Sequence, residues 1–118
     1  MTESAPQDAS LRQLRASLER LSWPAERQLS HLKSLEVGAD ELALEFDDAF
    51  RLVRGQVAEE KLPKLAVEAT QPIDDILVRM TNAGAEIWRS DALANSPEWA
   101  ELRAQSSQAL EALKPLVS

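Results

Sequence analysis

The sequence predicts an all-α, single-domain bundle of about five helices around a central acidic helix at residues 40–56. The 118-residue chain has three Gly and no Tyr, and its abundant Ala, Leu, Glu, Arg and Gln favour helix over strand. Apolar residues recur every three or four positions through most of the chain, as they do on one face of a helix. A chain of this length suits one domain with one hydrophobic core.

The N-terminus is predicted to precede the folded domain. Residues 1–8 are expected to be a disordered tail, because they are small and polar and lack apolar periodicity. The helical domain is then predicted to span residues 9–118. Its first helix is expected to begin with a cap at Asp8 or Ser10. The leucines at helical spacing that should face the core are Leu11, Leu14, Leu18 and Leu21.

A short break is predicted between the first two helices. Pro24 is accepted in a first helical turn and disfavours helix for the residue before it, so Ser22-Trp23-Pro24 should end one helix and start another. The second helix is expected to end at Gly38. The apolar side chains that it is expected to bury are Leu29, Leu32, Leu35 and Val37.

The central helix is predicted to begin with Asp40 as its N-cap. Its apolar face consists of Leu42, Phe46, Ala49, Phe50, Val53 and Val57. An alternating strand pattern also fits residues 42–46, but it fails at Asp48, which would continue the apolar face. Leu44 and Leu52 lie off the apolar face, so this helix is expected to contact neighbours on more than one side.

Another apolar face comprises Leu65, Ala69, Ile73, Ile76 and Met80. Pro72 interrupts it, so either one helix kinks there or Thr70 caps a new helix. Two acids directly after the proline favour a new helix, which should end at residues 82–84. The stretch 82–96 is aperiodic, and a short helical turn at 91–94 is expected within it.

The last helix has a typical start signal. Ser96-Pro97-Glu98 places an N-cap serine before a proline at the first helical position and an acid at the second. Its predicted core-facing residues are Trp99, Leu102, Ser106, Ala109, Leu110 and Leu113.

The composition argues against several classes of function. A net charge of −7 disfavours nucleic acid, which is bound through clustered Lys and Arg. The absence of Cys rules out disulfides and thiolate catalysis and fits a reducing compartment. No apolar run approaches the roughly 20 residues needed to span a membrane, and the N-terminus lacks the apolar segment of a signal peptide. A cytoplasmic protein that binds neither nucleic acid nor membrane is therefore predicted.

The charge is unevenly distributed along the chain. Residues 11–33 carry five basic and two acidic side chains, a net of +3, whereas residues 34–60 carry eight acids and two bases, a net of −6. Five acids fall within nine residues without an intervening base; they are Asp40, Glu41, Glu45, Asp47 and Asp48. A concentrated negative field attracts a basic protein partner and speeds its association.

The same acids are also candidates for catalytic or metal-binding groups. Glu41, Glu45 and Asp48 share one helical face, but helical carboxylate sites of the ferritin type need Glu-x-x-His pairs, and His31 is the only histidine. No nucleophile elbow, phosphate loop or dinucleotide fingerprint is present. The chain is therefore predicted to be no enzyme and to use no metal or cofactor, with His31 as a partly exposed helix residue.

Tryptophan and arginine are the residue types that most often anchor interfaces. Trp23, Trp88 and Trp99 are predicted mainly as core residues, but Trp88 lies in the aperiodic stretch beside Arg89. The residues predicted to bind a partner are therefore Asp40, Glu41, Glu45, Asp47, Asp48, Trp88 and Arg89.

Residues 40–50, Asp-Glu-Leu-Ala-Leu-Glu-Phe-Asp-Asp-Ala-Phe, together with Trp88 and Pro97-Glu98-Trp99, resemble short acidic bacterial helical proteins of unknown function. The resemblance implies no activity. Small acidic helical proteins also include immunity proteins and antitoxins, which mask basic toxins, although the likeness there is one of size and charge.

Three hypotheses follow. The leading one is a non-enzymatic protein-binding module, of the immunity or antitoxin type, that binds a basic protein through its acidic helix. The second is a carboxylate-based, metal-dependent hydrolase, in which Glu41, Glu45 or Asp48 converges with acids of residues 59–75 or with His31. The third is a self-associating, homo-oligomeric structural or regulatory subunit.

Overall fold

The computed structural model describes residues 6–116, with side chains from residue 9 onwards. Within that range it contains seven α-helical segments, two 3₁₀ segments and no strand. The α-helices are α1 (Pro6–Ser22), α2 (Ala25–Leu35), α3 (Asp40–Ala58), α4 (Leu65–Glu68), α5 (Gln71–Ala83), α6 (Ser90–Asn95) and α7 (Pro97–Leu113). The 3₁₀ segments are Ala85–Trp88 and Lys114–Leu116. Five of the helices exceed ten residues, so the predicted all-α bundle of about five helices is confirmed.

One hydrophobic core joins the helices. Helix α1 packs most extensively against α3 on one side and α7 on the other, while α5 packs against α7. The four leucines predicted for α1 are buried, and so is the phenylalanine face predicted for α3 except Val57, which is partly buried. Phe46 and Phe50 stack at 5.3 Å between ring centroids within this core. Helix α3 therefore supplies the core aromatics, and α1 holds the middle position in the packing.

The junction between α2 and α3 differs from the prediction. Glu36 adopts the left-handed conformation (φ 57°), and the N–H groups of Glu36 and Val37 bond to carbonyls in the last turn of α2. The helix thus ends at Leu35 instead of Gly38. Leu35, the last residue of α2, and Val37, two residues beyond it, are 52% and 38% exposed. The prediction that both are buried was wrong.

Asp40 does not cap α3. Ala39 occupies the N-cap position, and no side chain accepts a capping hydrogen bond. The amides of Glu41 and Leu42 instead donate to the carbonyls of Gly38 and Ala39, at 3.1 Å each. The predicted N-cap was wrong because the preceding turn satisfies these amides with backbone oxygens, which leaves the Asp40 carboxylate at the surface.

The chain after α3 follows the predicted breaks. Helices α4 and α5 are separate, with Thr70 at the N-cap position of α5, but its hydroxyl donates to the Ala66 carbonyl at 2.7 Å instead of capping. Helix α5 ends at Gly84, whose φ of 107° suits glycine. The aperiodic stretch 82–96 contains the 3₁₀ segment Ala85–Trp88 and helix α6. Ser96 caps α7, as predicted, by accepting a hydrogen bond from the Trp99 amide at 3.3 Å.

Leu44 and Leu52 lie off the buried face of α3. They are 52% and 51% exposed on the outer side of α3. Helix α3 packs mainly against α1 and α4, so the prediction that it contacts more than one neighbour is confirmed, although Leu44 and Leu52 are not the residues that those contacts bury.

A buried polar network holds α2 against the bundle. The fully buried Gln28 donates from Nε2 to the carbonyls of Arg20 and Leu21, at 2.9 and 3.0 Å. Its Oε1 accepts from Arg103 Nη1 at 3.1 Å, and Arg103 also donates to the Leu93 carbonyl at 3.1 Å. Desolvation lowers the pKa of Arg103, but a guanidinium stays charged at neutral pH. The network ties the α1–α2 turn to α6 and α7.

Several further predictions concern the periphery. Trp99 is buried, but Trp23 is half-exposed beneath Arg27, whose guanidinium carbon lies 4.0 Å from the ring centroid. His31 is half-buried against the edge of Trp23, which confirms it as a partly exposed helix residue.

Of the predicted tail, residues 1–5 fall outside the described range, and residues 6–8 form the first turn of α1. Across residues 6–116, no helix combines the length and apolarity required for a membrane span.

Candidate protein-binding surfaces

The five predicted acids of α3 do not form one uniform patch. Glu41, Glu45 and Asp48 follow one helical stripe, on the side of α1, where Glu45 Oε2 accepts from Arg20 Nη1 at 3.0 Å. Asp47 lies on the other side, toward α5, and pairs with Arg51 Nε at 3.0 Å. Two of the five acids are therefore partly neutralised by arginines of the same chain.

The remaining negative charge is accessible. Asp40 and Asp48 are exposed and Glu41 is half-exposed, and none of the three forms an ion pair within residues 9–116. The Asp47–Arg51 pair is itself largely exposed, and such a pair contributes only about 0.3–0.5 kcal/mol. A basic group from a partner can therefore displace Arg51 at small cost.

A groove runs between α3 and α5 on the Asp47 side. This α3–α5 groove has a volume of about 290 Å³. Its lining residues are Ala43, Leu44, Phe46, Asp47, Asp74, Leu77, Val78, Thr81 and Asn82. Leu44 and Val78 stand on opposite helices and are each about half exposed, at 52% and 50%. The two charged lining residues, Asp47 and Asp74, are both acidic, so the groove combines an apolar centre with a negative rim.

Trp88 and Arg89 belong to a different surface. They line a groove of about 550 Å³ between the C-terminal half of α2 and the 3₁₀ segment Ala85–Trp88. This groove is called the α2 groove below. Its other lining residues are Leu29, Leu32, Lys33, Val37, Gly38, Ala39 and Ser90. None of the five α3 acids is among them. The predicted binding residues therefore divide between helix α3, where they are acidic, and the α2 groove, whose charged lining residues are basic.

The side chain of Trp88 is held in place from behind. Its ring meets Trp99 edge to face at 5.8 Å between centroids. Trp99 Nε1 in turn donates a hydrogen bond to the Ile87 carbonyl at 2.7 Å, and this bond attaches the 3₁₀ segment Ala85–Trp88 to α7. Arg89 is largely exposed, and its contact with Asp91 is long, at 3.8 Å. Trp88 thus packs against the core and also lines the α2 groove.

A metal-dependent site gains no support from the geometry. No cluster of three or more His, Asp or Glu side chains that could hold a metal ion occurs in the described part of the chain. Glu45 and Asp48 do line a small cleft with Arg20, but the arginine supplies the positive charge there. The convergence that a carboxylate-based hydrolase requires is therefore not seen among residues 9–116.

Sequence reasoning missed three residues that shape the two grooves. Val78 and Asp74 lie opposite Leu44 and Asp47 in the α3–α5 groove, and Lys33 lies beside Arg89 in the α2 groove. Val78 could have been identified from the sequence, because it lies off the apolar face of α5, as Leu44 lies off the apolar face of α3. A large apolar residue off the main face is either covered by another helix or left for a partner, and only the packing distinguishes the two.

No protein-family model matches this sequence, and neither the curated proteins nor the solved structures contain a significant match to it.

Proposed function

We propose that this chain is a non-enzymatic protein-binding module that takes a basic, partly apolar segment of another protein in the α3–α5 groove. The observation that carries the proposal is the groove itself, where exposed Leu44 and Val78 face each other between two acids and no basic side chain lines the walls. The segment that fits would insert an apolar side chain and place Lys or Arg opposite Asp47 and Asp74.

The apolar part of the groove supports affinity. Leu44 and Val78 each leave about half of their surface in water, at 52% and 50%, and a partner that covers them gains about 25 cal/mol for each Å² of apolar area removed from water. The floor is rigid, because Phe46 and Leu77 belong to the buried core. A preformed floor lowers the entropy cost of binding.

The charges support selectivity and rate. With a net charge of −7 and three unpaired acids on α3, the molecule attracts basic proteins before contact. This is the behaviour expected of an immunity protein or antitoxin toward a basic toxin, the type to which size and charge point by analogy. No observation favours the hydrolase hypothesis over binding.

Paired variants in the full-length chain test the proposal by affinity purification from the native host. Leu44→Ser with Val78→Ser should remove the apolar contact, and Asp47→Lys with Asp74→Lys should repel a basic segment. Both double variants are expected to reduce recovery of a basic protein that the unaltered chain retains by about tenfold or more. Their melting temperatures should stay close to that of the unaltered chain, since the altered side chains are largely outside the core.

Asp75→Lys provides the matched control. Asp75 is an exposed acid on α5, one residue from Asp74, but it does not line the groove. This variant should retain the partner. Equal loss with the control, unchanged recovery with both double variants, or the absence of any retained basic protein would each overturn the proposal.

A further inference from the structure

The α2 groove points to a second binding site, and we infer that it takes an acidic segment of a protein partner that carries an apolar side chain. This inference does not depend on the function proposed for the α3–α5 groove. It rests on the juxtaposition of Trp88, Lys33 and Arg89 around an apolar floor, in a molecule whose net charge is −7.

The floor of the α2 groove is apolar and preformed. Leu32 and Ala39 are buried at its base, and Leu29 and Trp88 are half-buried in its walls. Val37 stands at the edge and is 38% exposed. At about 550 Å³, the space is large enough for several side chains of an extended or helical segment.

The donors around the α2 groove make few interactions within residues 9–116. Lys33 is exposed and makes no ion pair within residues 9–116, and the Arg89 side chain is 70% exposed with only a 3.8 Å contact to Asp91. The Trp88 indole N–H makes no hydrogen bond in the described part of the chain. Ammonium, guanidinium and indole groups all donate and do not accept. Their natural counterpart is a carboxylate, which accepts from all three.

The charge arrangement selects against other occupants. Both charged residues that line the α2 groove are basic, whereas the surrounding molecule is acidic. A basic segment would be repelled here and attracted to α3 instead. The two grooves therefore favour segments of opposite charge, so one partner carrying both kinds of segment, or two different partners, would be bound at different places.

Peptide titration of the full-length chain tests the inference. The probe is a capped synthetic peptide of leucine and glutamate, compared with a peptide in which lysine replaces every glutamate. Binding is followed by the NMR signal of the Trp88 indole N–H, assigned by its loss in Trp88→Phe. The glutamate peptide is expected to shift this signal, and Lys33→Glu combined with Arg89→Glu should weaken its binding by about tenfold or more.

Val37→Ser tests the apolar part and should also weaken binding of the glutamate peptide, by about threefold or more. Arg12→Glu is the matched control, since Arg12 is exposed on α1 and lines neither groove, and it should leave binding unchanged. An equal shift by the lysine peptide, no shift by either peptide, or an equal loss in Arg12→Glu would overturn the inference.

Two further outcomes would assign the α2 groove to another occupant and so also overturn the inference. The first is a Trp88 shift produced by vesicles of anionic phospholipid but not by the glutamate peptide. The second is a shift that grows with protein concentration in the absence of peptide, which would identify a second copy of the chain.

Discussion

The Gln28 side chain uses both of its amide atoms inside the bundle, where it is fully shielded from water. Replacing it by alanine would remove one hydrogen bond each from the Arg103 guanidinium and from two backbone carbonyls, although Arg103 keeps its bond to the Leu93 carbonyl and the Arg20 carbonyl keeps its bond from the Trp23 amide. A buried group that loses its partner costs about 1–3 kcal/mol, so we expect Gln28→Ala to lower the free energy of unfolding by about 2–3 kcal/mol. Thermal or urea unfolding followed by circular dichroism measures this change.

Gln108→Ala makes the same substitution at an exposed position of α7. It should leave stability unchanged or raise it slightly, because alanine has the higher helix propensity. Equal unfolding midpoints for the two variants would show that the Gln28 network contributes nothing to stability.

The residue pattern of α2 could have indicated that Gln28 is buried, but it could not have identified the groups to which Gln28 is hydrogen-bonded. It lies four positions before Leu32, on the face of α2 that turns inward. A glutamine on a buried face needs partners, but these come from the α1–α2 turn and from α7, 75 residues away along the chain. No local pattern specifies such a pairing, so the network is visible only in the folded molecule.

At the scale of elements, the N-cap of α7 is the clearest local signal in the chain. Ser96 accepts the Trp99 amide at 3.3 Å and is the one N-cap in residues 6–116 whose side chain makes a capping hydrogen bond. Because α7 packs on α1 and carries the buried Trp99, fraying of its first turn would disturb the core. We expect Ser96→Ala to lower the free energy of unfolding by about 1 kcal/mol in a urea titration.

Ser107→Ala is the control within the same helix, at an exposed interior position. Alanine should be tolerated there or be slightly stabilising. A loss of stability as large as that of Ser96→Ala would mean that the cap is not its cause.

The buried faces of α1, α3 and α7 could be predicted because each follows a regular helical period. The end of α2 could not be predicted in the same way. Its last turn is followed by a left-handed residue, a conformation that usually belongs to glycine or asparagine, but position 36 is a glutamate. The candidate site was predicted in part: the acids of α3 are accessible, but their division between two sides depends on where α1 and α5 lie. The grooves depend on the spacing of helices, which residue periodicity does not encode.

The whole molecule measures 45 × 29 × 21 Å over its described residues, carries a net charge of −7 and exposes several large apolar side chains. These are Leu35, Val37, Leu44, Leu52 and Val78. They are distributed over α2, the α2–α3 connection, α3 and α5, and do not lie on one face of one helix. Exposed apolar surface favours self-association, and like net charge opposes it.

The balance between these effects decides whether the self-associating subunit remains a possible function. In roughly 0.01 M salt the Debye length is about 30 Å, comparable with the 29 Å width of the molecule, so two copies repel through their full charge. The α3–α5 and α2 grooves carry opposite charges, but both are concave and neither can fill the other. We therefore expect a monomer at low salt, measured by light scattering over a range of protein concentrations.

A mass that rises with concentration, or that stays at twice the chain mass, would contradict this expectation. Leu44→Ser with Val78→Ser would then locate the contact. If this double variant restored the monomer, the α3–α5 groove would be an interface between copies, and the basic partner proposed for it would lose its site. If the dimer persisted, the contact would lie elsewhere and the groove would remain open to a partner, because exposed side chains that a dimer does not cover stay accessible to other proteins.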